Sequence, residues 1–353
     1  MRFGTDGVRG VAFDELTIEF ATELARAAAR VLGRGDVGTA IIGGDTREST
    51  PALEAALADG FMSEGIDVVQ LGVAPTPMVA FEAQRTGSLG AMVSASHNTW
   101  SDNGIKLFAP GGSKLSDDVQ TRIEAELQHH GEVAPGGGVT REAEDHRDYD
   151  DHVLSILEGR RLDGLRVVVD AANGAASEIA PELLRAAGAD VVAIATSPDG
   201  RNINEGCGAT HAAHVADAVV ERGADVGVAL DGDADRLIAV DHRGTVVDGD
   251  HIIAICADDL RGRGRLRNNT VVVTVMTNLG FHLAMQDAGI DVVQTAVGDR
   301  YVLEALAEGG LSLGGEQSGH VIFADHATTG DGILTAVALL DVVTRRGEPL
   351  ATI

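Results

Sequence analysis

Three stretches of the chain end a helix and begin a strand in nearly the same words: Ser63–Val69 (SEGIDVV), Ala186–Val192 (AAGADVV) and Asp287–Val293 (DAGIDVV). Around each the same succession recurs. Thr39–Gly44 predicts a strand, and Pro51 opens a helix at its first turn that runs on through Leu53–Met62. Asp67–Leu71 is the next strand, a helix starts within Ala74–Phe81, and Leu89–Val93 is a third strand. In the second copy, strand Leu165–Asp170, loop Ala171–Gly174, helix Glu178–Ala187 and strand Ala189–Ile194 precede strand Asp225–Leu230. In the third, strand Thr270–Val275, loop Met276–Gly280, helix Phe281–Ala288 and strand Asp291–Thr295 precede Gly309–Leu313. A repeat of about a hundred residues means repeated domains rather than a solenoid. Strands alternating with helices imply right-handed crossovers and parallel sheets. The expected fold is therefore α/β: three repeated α/β domains with mainly parallel mixed sheets flanked by helices, around a central cleft.

Borders follow from the breaks in this pattern. His130–Glu144 is rich in glycine and charge and reads as a linker, and Asp241–Asp250 turns the chain from the second repeat to the third. The expected domains are 1–140, 141–247 and 248–353. Glu19–Val31 reads as an amphipathic helix in the first, and Gly332–Val343 as the closing helix of the third. Pro349–Ile353 reads like a linker cut short.

The formal charge of −27, from 54 acidic and 27 basic residues, argues against nucleic acid or an anionic membrane as partner. An acidic chain that binds an anion must gather its basic groups locally. With aromatics at 3%, a sugar would be held by hydrogen bonds rather than by ring stacking. No apolar run approaches the roughly 18 residues of a membrane span, and MRFGTDGVRG is no signal peptide. Cys207 and Cys256 lack any CxxC spacing and read as reduced thiols of a cytoplasmic protein.

Each repeat delivers a distinctive loop at the carboxyl end of its last strand, the edge at which open α/β sheets bind ligands. The first, within Met92–Leu107 (MVSASHNTWSDNGIKL), carries Ser96. Serine is a poor nucleophile unless it is activated or already phosphorylated, and His97 and Lys106 offer charge or a proton. Asp102–Gly104 (DNG) reads as a turn that returns Lys106 toward the serine. A hydrolase elbow would need Gly-x-Ser-x-Gly, which is lacking. The second loop is Asp231–Arg236 (DGDADR). A lone DxD is ordinarily a solvated acidic turn, but Asp231, Asp233 and Asp235 repel one another unless a hard cation sits among them, with Mg2+ the expected ion. Arg236 adds a fork for phosphate. The third, Gly315–His320 (GEQSGH), offers Glu316, Ser318 and His320 to sugar hydroxyls. A fourth stretch, Phe3–Gly10 (FGTDGVRG), sets three glycines around Asp6 and Arg9, which alone reads as a tight turn.

FGTDGVRG, SASHN with DNGIK, DGDADR and GEQSGH, in this order and spacing, resemble the α-D-phosphohexomutases along the whole chain. FGTDGVRG, Val297–Tyr301 (VGDRY) and the glutamine of GEQSGH are similar to the bacterial branch that acts on glucosamine phosphate. The resemblance implies interconversion of glucosamine 6-phosphate and glucosamine 1-phosphate, on the route to UDP-N-acetylglucosamine. Phospho-Ser96 would donate its phosphoryl group, giving a bisphosphorylated sugar, and one Mg2+ per chain would be held by Asp231, Asp233, Asp235 and the Ser96 phosphate. Lys106 and Arg9 look like acid/base and phosphate-handling residues, with His97 and Arg236 supporting the reacting phosphate. Glu316, Ser318, His320, Asp299 and Arg300 would bind substrate. Glucose or glucosamine 1,6-bisphosphate would prime the serine, and the partners implied are a small sugar phosphate and a second copy of the chain as a homodimer. The same chemistry on mannose or glucose phosphates, or a low-activity remnant that only binds metal and sugar phosphate, are the alternatives. Two departures stand out. The proline usual after SASHN is Thr99 here, followed by Trp100, which predicts a looser loop. The fourth domain, which in the family clamps the non-reacting phosphate, is expected to be absent.

Overall fold

The structure, a computed structural model, describes residues 2–4, 7–33, 37–128, 137–143 and 145–353. Each repeat builds its own sheet around a central strand with a parallel neighbour on either side. In the first, β1 (Val8–Val11), α1 (Ile18–Leu32), β2 (Thr39–Gly44), α2 (Thr50–Ser63), β3 (Asp67–Val73), α3 (Thr76–Thr86), β4 (Leu89–Val93), β5 (Asp102–Phe108), α4 (Asp117–Leu127) and β6 (Thr140–Glu142) give the strand order β1-β5-β4-β2-β3-β6. The second follows with α5 (Arg147–Ser155), β7 (Arg166–Asp170), α6 (Ile179–Ala186), β8 (Asp190–Ile194), α7 (Ala212–Arg222), β9 (Val226–Leu230), β10 (Leu237–Asp241) and β11 (Val246–Val247), in the order β11-β10-β9-β7-β8. The third has α8 (Gly249–Gly262), β12 (Thr270–Thr274), α9 (Leu279–Ala288), β13 (Asp291–Thr295), α10 (Asp299–Gly309), β14 (Leu313–Gly315), β15 (Val321–Phe323) and α11 (Gly332–Arg346), in the order β13-β12-β14-β15.

The core of the pattern is as expected, with β2, β7 and β12 each flanked by parallel partners. A return strand in each repeat is new. After the special loop the chain returns antiparallel as β5, β10 or β15, paired with the strand that delivered the loop. Each special loop is thus the bend of a β-hairpin, which fixes both its ends. The DNG stretch accordingly does not turn. Asp102–Gly104 opens β5, Asn103 lies opposite Gly10, and its side chain donates to Ser49 Oγ (2.9 Å) and Thr50 Oγ1 (3.1 Å). Gly309 ends a helix instead of starting a strand. Within 241–250, the chain already forms β11 and the start of α8, capped by Asp248 accepting from His251 N at 3.1 Å. Most of the linker read over 130–144 lies outside the described residues, but Thr140–Glu142 pairs with β3 at the sheet edge. Thr5 and Asp6 of FGTDGVRG also lie outside. Gly4 and Gly7 pair in a bridge (Gly4 N to Gly7 O, 2.8 Å), and Val8–Gly10 belong to β1.

By contacts the chain forms two compact units, Met1–Tyr149 with Pro198–Ile203, and Asp150–Ser197 with Asn204–Ile353. In the first, α1 is capped by Thr17 and buries Leu24 and a run of alanines. It packs on α2 where Gly60 lacks a side chain. A Cβ there would meet the Thr22 carbonyl oxygen at 2.4 Å. In the second, α11 is buried from Gly332 through Val343, the apolar-all-round character of a core helix. Around it runs a chain of alternating charges: Arg160 grips Asp341 at 2.9 Å, Arg345 joins Asp341 to Asp259, and Arg263 joins Asp259 to Glu158. Glu158 also accepts from Arg160, which leads the causes holding its carboxyl down at about 2. Both thiols are buried, which pushes Cys207 and Cys256 up to about 12. No described helix is long and apolar enough to cross a membrane.

Glu54 on α2 gives a pH-dependent stability. Its Oε1 is sealed from water with no hydrogen-bond partner among the described residues, and burial together with the Glu142 charge pushes the carboxyl up to about 7. The folded state then keeps a proton that the unfolded chain has lost above its ordinary value of 4.5. Stability contributed by this group is full below that value and falls as pH rises toward 7. Glu54→Gln is expected to stabilise the protein by about 1–3 kcal/mol at pH 8 and to change little at pH 4.5, in urea melts at the two pH values. Equal effects at both would contradict the assignment.

Candidate active site

In the first unit, the bend between β4 and β5 holds Ser96 fully buried with a positive φ of 53°. That left-handed backbone costs a non-glycine residue about 1–3 kcal/mol and persists only where surroundings enforce it. The enforcing groups come from the loop after β2. Arg47, itself 1% exposed, pairs with Asp45 and donates to the carbonyls of Ser96 (3.2 Å), Asn98 (2.7 Å) and Thr99 (3.4 Å). Ser94 Oγ donates to Asp45 and accepts from Ser96 N at 2.9 Å. Ser96 Oγ lies 3.2 Å from His97 Nδ1. The bend is therefore held from below by a buried guanidinium, whatever freedom Thr99 has. Lys106 is buried on β5 opposite Met92. Arg9 lies on β1 opposite Gly104, and a Cβ added at that glycine would meet Arg9 Cγ at 3.0 Å, so the arginine stem rests on it. Asp45 and Arg47 were not legible as site residues. Their one signal is a buried-type strand, TAIIGG, running straight into a charged pair.

In the second unit, the β9–β10 bend carries Asp231, Asp233 and Asp235, all buried, each offering an oxygen within 4.8 Å of the others. Asp231 Oδ1 accepts from Arg236 N at 3.2 Å, and Ala234 takes a positive φ of 58° to close the bend. Three carboxylates crowded away from water repel strongly at this range. Hard oxygen donors in such a cluster suit a small divalent cation, so the residues present fit the metal that the motif implies. Arg236 gives partial compensation. Burial alone would lower its pKa, but Asp235, Asp231, Asp233 and Glu316 together raise it above its ordinary value. Its Nε, 3.7 Å from Asp235, makes no hydrogen bond among the described residues.

The GEQSGH bend lies directly against this cluster. Leu237 N donates to Gly319 O at 2.9 Å, and Gly319 (φ 92°) has no room for a Cβ, which would meet Leu237 O at 2.2 Å. Glu316 Oε1 accepts from Gly298 N at 3.0 Å, tying the loop to the start of α10. Ser318 is exposed. His320, 2% exposed, points inward instead: its Nε2 accepts from Gly330 N at 3.1 Å, which places the proton of the neutral ring on Nδ1, 3.6 Å from Asp235 Oδ1. Asp299 Oδ2 is 3.5 Å from the same Nε2. Arg300 lies along Tyr301 and donates to Glu304 at 2.8 Å. The structure thus gathers the three aspartates, Arg236, His320, Asp299 and Glu316 in one unit, and Ser96, His97, Lys106 and Arg9 on neighbouring strands and bends of the other.

Family models for phosphoglucomutase/phosphomannomutase match the chain three times: alpha/beta/alpha domain I over residues 1–134, domain II over 147–244 and domain III over 248–353. Among curated relatives, the phosphoglucosamine mutase of Thermobifida fusca is 56% identical over 357 residues, covering 99% of this chain and 79% of the relative. That of Streptomyces avermitilis is 52% identical over 362 residues, covering 99% and 80%. A crystal structure of a phosphoglucomutase/phosphomannomutase family protein from Burkholderia thailandensis superposes with a TM-score of 0.86 at 28% identity, over 99% of this chain and 78% of that one.

Proposed function

The chain belongs to the phosphoglucomutase/phosphomannomutase family, it is an isomerase that moves a phosphoryl group within a sugar phosphate, and we propose how its own residues do so. The sugar is glucosamine, the substrate named by relatives more than half identical along nearly the whole chain, so the reaction interconverts glucosamine 6-phosphate and glucosamine 1-phosphate. In the proposed cycle, phospho-Ser96 gives its phosphoryl group to the free hydroxyl of the bound monophosphate. The bisphosphate then returns its other phosphoryl group to Ser96 Oγ, and glucose or glucosamine 1,6-bisphosphate primes the serine. The single observation that carries this is a buried serine held in a strained backbone with an imidazole nitrogen 3.2 Å from its oxygen. Strain of this kind clusters where a reacting atom must be aimed.

We assign His97, whose Nδ1 is 3.2 Å from Ser96 Oγ, to give that oxygen a proton as the phosphoryl group leaves and to take it back when Ser96 is rephosphorylated. We assign Lys106 and Arg9 to acid/base work and to the phosphate charge, and Arg236 to the reacting phosphate as a fixed fork. Asp231, Asp233, Asp235 and the Ser96 phosphate would hold Mg2+, which when bound neutralises charge on the phosphoryl oxygens. Glu316 and Ser318 bind sugar hydroxyls, with Asp299 and Arg300 at the head of α10. His320 belongs to the substrate set through its position between Asp235 and Asp299. The proposal extends to domain borders at 140/141 and 247/248, to a cytoplasmic location, and to a homodimer, which light scattering on the purified protein decides. A coupled assay with glucosamine, mannose and glucose 1-phosphates tests the substrate. Preference for glucosamine by about a hundredfold in kcat/KM is expected, and preference for mannose 1-phosphate would overturn it.

A further inference from the structure

Residues 198–203 pack with the first unit, although the chain on either side of them belongs to the second. They form a self-braced turn: Asp199 Oδ1 accepts from Arg201 N (2.8 Å) and Asn202 N (2.9 Å), and Asn202 Oδ1 accepts from Asp199 N (3.0 Å). The turn presents Gly200 O to Glu48 N at 2.9 Å and thrusts Arg201 outward. There the guanidinium makes two contacts at once. Its Nε and Nη2 donate to Glu48 Oε2 (2.8 Å) and Oε1 (3.0 Å), a bidentate fork. Its central carbon also sits 5.0 Å from the centroid of the Trp100 ring, within the range of a cation–π contact.

These two partners adjoin the residues that shape the Ser96 bend. Trp100 follows Thr99, whose carbonyl Arg47 holds, and Glu48 is the residue next to Arg47. Arg47 holds the Thr99 carbonyl, and Arg201 adds a contact to the residue that follows it. We propose that Arg201 is a positioning residue for the phosphoryl-carrying bend, acting as a clasp that pins Trp100 to Glu48. It touches no substrate; its effect passes through Trp100 and through the backbone around Arg47. A planar fork that also stacks is what arginine supplies and lysine does not. The fork holds the Glu48 carboxyl below its usual range, as a formed pair should.

The proposal rests on Ser96 being the phosphoryl carrier, and Trp100 lets the two be tested apart because it is the only tryptophan in the chain. In Arg201→Ala, the Trp100 emission maximum is expected to shift to the red as the ring loses its cover. The thermal midpoint should stay within about 2 °C, since the pair is exposed. The rate of Ser96 phosphorylation by glucose 1,6-bisphosphate, and kcat, should fall about tenfold with KM for the sugar phosphate within about twofold. Trp100→Ala should match this loss, the double variant should lose no more than either single one, Trp100→Phe should stay near wild type, and Arg201→Lys should fall between. Wild-type kinetics in Arg201→Ala, losses that add in the double variant, or a rate loss without any change in Trp100 emission would each overturn the clasp. If the wild-type chain never takes up phosphate on Ser96, the premise fails, while an unchanged emission spectrum in Arg201→Ala separately overturns the contact.

Discussion

Ser96→Ala is expected to lower kcat on the order of 10⁴-fold or more, with the thermal midpoint moved by no more than about 2 °C. The size follows from the role. A residue that carries the transferred group has no substitute within its bend, and alanine has no oxygen to phosphorylate. The fold should survive because alanine bears the positive φ at 96 about as well as serine does. The substitution removes the approach of Ser96 Oγ to His97 Nδ1, which joins two neighbours in the same bend. The Arg47 bonds that shape the bend end on backbone carbonyls and remain. Activity measured beside thermal melts checks this. A variant with more than about a tenth of wild-type turnover contradicts the serine's role.

Asp233→Asn should act with opposite signs depending on metal. Three buried carboxylates within 4.8 Å of one another are mutually destabilising when no cation sits among them. Removing one charge should therefore stabilise the metal-free protein, by about 1–3 kcal/mol at the effective dielectric of such sites. With saturating Mg2+ the order reverses, because asparagine is a neutral and weaker ligand. Affinity for the ion should drop by about a hundredfold or more and turnover should become undetectable. Urea melts in EDTA and in excess Mg2+, with titration calorimetry for the ion, read both halves. Unchanged turnover in Asp233→Asn would sink the metal assignment, and a variant less stable than wild type in EDTA would contradict the repulsion.

Much of the fold was legible because the repeated signals are local. Glycine after a helix and Asp-Val-Val after that glycine mark the same joint three times, and Gly65 and Gly289 do take the positive φ this requires. The return strands were harder to read. β5 begins with Asp-Asn-Gly, a tripeptide that in isolation turns; here Asn103 is fixed by Ser49 and Thr50 at the start of α2, a tertiary contact that overrides the local preference. Helix α8 was hidden because its cap, Asp248, stands among other polar residues between two repeats. At the site, chemistry-bearing residues with dense spacing were visible: the three aspartates, Ser96 with His97, and Glu316 with Ser318. What sequence does not display is direction. His320 reads as a group for sugar hydroxyls, but its ring turns inward to Gly330 and Asp235. Arg47 reads as one polar loop residue among several, yet its guanidinium holds three carbonyls of the Ser96 bend. Both depend on which way a side chain leaves a bend, which is set by the local backbone of that bend and by partners that come from far away in sequence.

The most direct test of the serine's role as phosphoryl carrier is intact-mass measurement of the protein after incubation with glucose 1,6-bisphosphate, followed by addition of glucosamine 6-phosphate. One phosphoryl group per chain is expected, present in wild type, absent in Ser96→Ala, and exchanged with the sugar phosphate when substrate is added. A wild-type chain that gains no mass, or a Ser96→Ala chain that gains the same mass as wild type, would contradict that role.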